Sequence, residues 1–143
     1  MIESAYNITG STDQIHGLDE QISLLCAQAP QLDEESYGIR LAVCEALSTV
    51  VEHAYDGADD CSIDVSLLVT EGKVEINIVD HGLSLGSLNI DGDVEGILGT
   101  EQASRLPNSG WGIYLMQTYM DDVRYEARED ANVWTLVKEV RAN

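Results

Sequence analysis

From Ser62 to Ile78 the apolar side chains fall on every second residue: Ile63, Val65, Leu67 and Val69, then, beyond Glu71-Gly72, Val74, Ile76 and Ile78. A period of two belongs to a strand with one face buried, and two such runs joined by a short glycine turn make a β-hairpin. A lone hairpin is barely stable in water, so other elements must cover its apolar face. The flanking sequence supplies them. Between Thr12 and about Ala29, residues Ile15, Leu18, Ile22, Leu25 and Cys26 recur at three and four, a helix period that Pro30 stops. A second helix is expected from an Asp33 cap, with Glu34 and Glu35 in its first turn, through Tyr55 to an end at Asp56-Gly57. A strand over Ser4 to Ile8, closed by Thr9-Gly10, opens the chain. A helix with Ile113, Met116 and Met120 on one side, then strands near Val123 to Ala127 and Val133 to Val140, close it. Strands in adjacent pairs argue for an α+β two-layer sandwich, a mixed, mainly antiparallel sheet covered on one face by helices. Its 143 residues suit a single domain.

Seven Lys and Arg stand against 26 Asp and Glu, a net charge of −19, which repels phosphate backbones and anionic membranes and excludes both as direct partners. A basic protein surface is the macromolecule such a chain attracts. Cys26, Cys44 and Cys61 are odd in number and far apart, so they read as thiols in a reducing compartment. The start, MIESAYNITGSTDQ, has no basic segment followed by an apolar run, and no stretch approaches the roughly 20 apolar residues of a membrane span. The expectation is a soluble, cytoplasmic protein.

Three stretches carry chemistry. In LAVCEALSTVVEHAY, residues 41 to 55, the polar members Glu45, Ser48, Thr49, Glu52 and His53 share one helix face, and Val43, Cys44, Ala46, Leu47, Val50, Val51 and Ala54 the other. The hairpin's second strand delivers Asp80-His81-Gly82 to a sheet end, where a rigid strand aims the loop that follows. Residues 83 to 109 contain Gly86, Gly92, Gly96 and Gly99 and no period, which marks a functional loop or disorder. After them, Ser109-Gly110-Trp111-Gly112 opens a helix, a place where free N–H groups attract anions. Tyr6, Tyr37, Tyr55, Tyr114, Tyr119 and Tyr125 form no stripe and read as core and rim residues.

In order and spacing these motifs resemble those of the anti-sigma-factor serine kinases, small members of the histidine-kinase-like and gyrase-like ATPase superfamily. The resemblance implies that residues 41 to 55 wall an ATP pocket, that Asp80 accepts a hydrogen bond from the adenine amino group, and that Gly82 lets the backbone approach the base. It further implies that Gly110 and Gly112 present N–H groups to the phosphates, that residues 83 to 109 form a lid, and that Glu45 is the general base for a serine hydroxyl. The implied cofactors are ATP and Mg²⁺. The implied partners are an anti-sigma factor antagonist and a sigma factor, in a switch whose kinase works as a homodimer.

The sequence also departs from the family. Thr49 stands where the family's magnesium-holding Asn is expected, and becomes the metal ligand by position. The lid carries Asp91, Asp93, Glu95 and Glu101 against Arg105 alone, where a kinase needs positive charge. Asn108 replaces an Arg before Ser109-Gly110, which leaves Arg105 to meet the nucleotide, and Ser84 replaces a further glycine. These changes keep open a second reading: the same fold, without catalysis, acting by sequestration.

Overall fold

A computed structural model describes residues 1 to 85 and 111 to 140. The first strand, β1 (Ile2–Thr9), leads to helix α1 (Thr12–Ala27). Ser11 starts α1 by accepting the Gln14 amide on its hydroxyl at 3.3 Å, while the Gln14 side chain takes the Thr9 amide at 2.8 Å. A 3₁₀ turn over Pro30–Leu32 follows, then α2 (Ser36–Thr49), the hairpin β2 (Ser62–Val69) and β3 (Lys73–Asp80), α3 (Trp111–Tyr119), and the pair β4 (Asp122–Ala127) and β5 (Asn132–Glu139). The expected Asp33 cap is not formed. Leu32 is wholly buried, so the chain turns tightly to insert it, Glu35 occupies the cap position with no side-chain bond, and α2 starts at Ser36.

The five strands lie in the order β1-β2-β3-β5-β4, and every pairing among the described residues is antiparallel. The register puts Leu67 opposite Ile76, Ile76 opposite Leu136 and Leu136 opposite Val123, a row of buried apolar side chains on one face of the sheet. The buried residues of α1, α2 and α3, among them Ile22, Ile39, Leu47, Ile113 and Met116, join that row in one core. Asp80 pairs with Asn132 in the same register and so lies on the same covered face.

Two further contacts place the helices. Arg40 of α2 grips Asp19 of α1 with both prongs of its guanidinium, at 2.9 and 2.7 Å. Helix α3 runs against α2 at glycine contacts: a Cβ on Gly38 would lie 2.7 Å from the Tyr119 ring, and one on Gly112 would lie 3.3 Å from Glu45 Oε2 and 3.6 Å from Thr49 Oγ1. Small residues at both ends let the two helices approach closely, antiparallel, with the start of α3 beside Glu45.

Candidate functional site

Helix α2 does not stop at Thr49. Its last turn, Val50–Ala54, widens to a π-helical turn closed by the Tyr55 amide on the Val50 carbonyl at 3.1 Å. Asp56 (φ 51°) and Gly57 (φ 85°) then end the helix in the left-handed region, where the sequence places its stop. Widened turns of this kind recur at functional sites. Here the turn delivers Ala54 and Tyr55 to the loop after β3. The Ala54 carbonyl accepts the Leu83 amide, and the Tyr55 hydroxyl accepts the His81 amide at 2.9 Å while donating to the Ser62 carbonyl at 2.5 Å. A Cβ on Gly82 would collide with the Ala54 carbonyl, so this position is closed to any side chain.

On the far side of the same loop, Asp80 is 1 % exposed. Its Oδ1 accepts the Gly82 amide at 3.0 Å and the side-chain amide of Asn132 at 2.8 Å. Burial pushes the Asp80 carboxyl above the usual range, while the bonds from Asn132 and Gly82 and the neighbouring His81 pull it back. Both of these bonds fall on Oδ1. The Leu85 amide, further along, donates to the Tyr125 hydroxyl at 2.8 Å. Residues 82 to 85 are therefore stitched to the end of α2, to β5 and to β4.

Sequence reasoning missed Asn132 and Tyr125 as parts of this site, and missed what the Tyr55 hydroxyl does in it. The position of Asn132 in the turn Glu129-Asp130-Ala131-Asn132 looks like a turn former, and only the pairing of β3 with β5 brings it opposite Asp80. The two tyrosines are more than core and rim residues because their hydroxyls hold loop amides.

At the other end of the wall, Glu45 faces Gly112 at the start of α3. Burial, then repulsion from Glu52, raises its carboxyl above the usual range. Thr49 is 2 % exposed, and its hydroxyl donates to the Glu45 carbonyl at 2.9 Å. Donating to its own helix leaves the lone pairs of the Thr49 oxygen unused, and that oxygen faces the start of α3, 3.6 Å from where a Gly112 Cβ would lie. Among the described residues no three acidic, His or Cys side chains gather into a metal site. Trp111 is 57 % exposed and meets Tyr114 edge-on at 5.6 Å. Gly110, Arg105 and the lid beyond Leu85 lie outside the described residues.

Three helices thus cover one face of an antiparallel sheet, with a buried carboxylate at a strand end and the acid-bearing α2 packed against Gly112 of α3. Residues 10–138 match the histidine kinase-like ATPase domain, and the chain belongs to that family. The serine-protein kinase RsbW of Bacillus pumilus is 35 % identical over 102 residues, 70 % of this chain and 63 % of the relative. RsbW of Listeria monocytogenes serotype 4a is 33 % identical over 95 residues, 66 % of this chain and 60 % of the relative. The chain thus spans somewhat over half the length of these curated relatives. In fold it resembles a crystal structure of the RsbU and RsbW domains of a Mycobacterium tuberculosis protein, with a TM-score of 0.68 and 16 % identity over 99 % of this chain and 34 % of that one. It also resembles the SiaB–SiaC complex of Pseudomonas aeruginosa, at 0.64 and 9 % over 95 % and 89 %. The resemblance read from the motifs and the layered α+β fold both stand. The expected mixed sheet is antiparallel throughout the described pairings.

Proposed function

We propose that this chain binds ATP and transfers its terminal phosphoryl group to a serine of a small antagonist protein, holding a sigma factor as its alternative partner. One observation carries the reading: α2 lies against two glycine-bearing segments, the loop after β3 at one end and the start of α3 nearer its middle. Ala54 meets Gly82 and Glu45 meets Gly112. Nine residues separate them, 54 − 45, roughly 13 Å at helical rise, a length that suits an extended nucleoside triphosphate.

Within that reading, Asp80 receives the amino group of the base, and an ionised carboxylate in an apolar pocket selects a donor over bases that lack one. The start of α3 offers N–H groups to anionic oxygens. ATP supplies the phosphoryl group. Glu45 takes the proton of the serine hydroxyl, and the raised carboxyl is better matched to that task near neutral pH than an ordinary glutamate. Magnesium would travel with the triphosphate, and Thr49, by its position four residues after Glu45, is the residue that would hold it. The charge of −19 steers a basic partner face toward the domain. Phosphate on a contact serine then adds charge that drives the antagonist off. Among the described residues no helix is long and apolar enough to cross a membrane.

Thr49 and Asn108 in place of the family's expected Asn and Arg, with the acidic residues between 83 and 109, favour a second reading, in which the domain acts by sequestration without catalysis. Calorimetric titration with ATP and Mg²⁺, followed by a transfer assay on a serine-bearing antagonist, separates them. Binding with transfer supports the kinase. Binding without transfer supports sequestration, and no heat at millimolar nucleotide removes the kinase reading altogether.

A further inference from the structure

Asn132 is 2 % exposed, and its side-chain nitrogen makes three hydrogen bonds. Nδ2 donates to Asp80 Oδ1 at 2.8 Å, to the Gly82 carbonyl at 3.1 Å and to the Leu83 carbonyl at 3.3 Å. Every partner is an acceptor, so the amide has only one usable orientation. Its two hydrogens serve three acceptors: one goes to the carboxylate, the stronger bond, and the other is shared between the two carbonyls. A hydroxyl side chain has one hydrogen and would hold one of them.

We propose that Asn132 is a positioning residue of the base pocket: it clamps Asp80 Oδ1 and the Gly82–Leu83 backbone together, so that Oδ2 is the oxygen presented to a donor on the bound base. The presentation to a base rests on the nucleotide reading above; the clamp itself does not. Without the amide, burial of Asp80 has less to oppose it, and the carboxyl protonates nearer to neutral pH. A protonated Asp80 donates where the base needs an acceptor. The titratable groups facing Asp80 are His81 beside it in the chain and the Tyr55 phenol from the end of α2.

The test uses the whole chain, with Asn132→Leu and Asn132→Thr. In nucleotide-free protein, the Asp80 carboxyl is followed by carbon-detected NMR through a pH titration. Its midpoint should rise by about one unit in Asn132→Leu and by less in Asn132→Thr, which keeps one donor. ATP affinity at pH 7.5 should fall by about tenfold in Asn132→Leu, deepening as the pH drops toward 6, and by less in Asn132→Thr. An unmoved midpoint in both variants, or an equal loss of affinity at every pH, makes Asn132 a packing residue and overturns the proposal. A wild type that takes up no ATP ends the nucleotide reading, while the nucleotide-free titration still judges the clamp.

Discussion

The Leu83 amide donates to the Ala54 carbonyl at 2.8 Å, so the loop after β3 caps the widened last turn of α2. A carbonyl left without a helical partner at the end of α2 is satisfied by the loop that carries the candidate base-binding residues. Helix and loop are thereby one unit, and Gly82, pressed against the same carbonyl, is its tightest point.

Gly82→Ala should therefore damage both fold and site. The methyl group would displace backbone, not a flexible side chain, so a loss of about 1–3 kcal/mol is expected in urea unfolding. ATP affinity should fall with it. A variant as stable as the wild type would mean that the Ala54 contact is slack.

Asp80→Asn should separate stability from function. Burial raises the folded carboxyl above its unfolded value, so the native state binds the proton more tightly and the wild type gains stability as pH falls through the folded value. At neutral pH the ionised group is a net burden on the nucleotide-free fold, and an isosteric amide still accepts both bonds on one oxygen. The variant should melt at or above the wild-type temperature at pH 7 while its ATP affinity drops by about tenfold or more. Lower melting together with retained binding would contradict both halves.

Transfer should respond to pH through Glu45. A general base must be ionised, so the rate should fall as pH drops through its raised value, and Glu52→Gln, by removing the repelling charge, should move that fall to lower pH. Glu45→Gln should leave ATP binding within about twofold and abolish transfer, a loss of about a hundredfold or more. Calorimetry and phosphate incorporation into a partner read the two effects separately.

Thr49→Val tests the metal assignment. The swap keeps the shape and removes the hydroxyl, whose bond to the Glu45 carbonyl is surplus to the helix. Stability should stay within about 1 kcal/mol, and if Thr49 holds the ion the magnesium-dependent part of ATP binding should fall by about tenfold. An unchanged dependence would show that Thr49 is not the ligand.

Asp19→Asn should loosen α1 from α2. The Arg40 bond holds the Asp19 carboxyl below its ordinary value, so its stabilisation is present above the unfolded value and lost as pH falls through the depressed folded one. The pair is partly exposed, so about 1 kcal/mol at pH 7 is expected from urea titration, shrinking to nothing once the wild-type carboxyl is itself protonated.

The sheet and its helices were legible because periods of two and 3.6 are local: Ile63 to Val69 and Ile15 to Cys26 announce their elements with no knowledge of what they pack against. Asp80, Gly82 and Glu45 were legible as candidates, since each sits in a motif of a few neighbours. Thr49 shows what a local motif leaves out. It lies on the polar face of its helix, yet α3 covers it, because the glycine contacts at Gly38 and Gly112 draw the two helices together. Asn132 lies 52 residues from Asp80, and Tyr125 lies 40 from Leu85. Such partners meet only when strands pair, and no local pattern encodes which residue will stand opposite which. The chain by itself determined the elements and the chemistry it carries; the pairing of β3 with β5 and the closeness of α2 to α3 decided which polar groups are clamped, which are covered and which remain to receive a ligand.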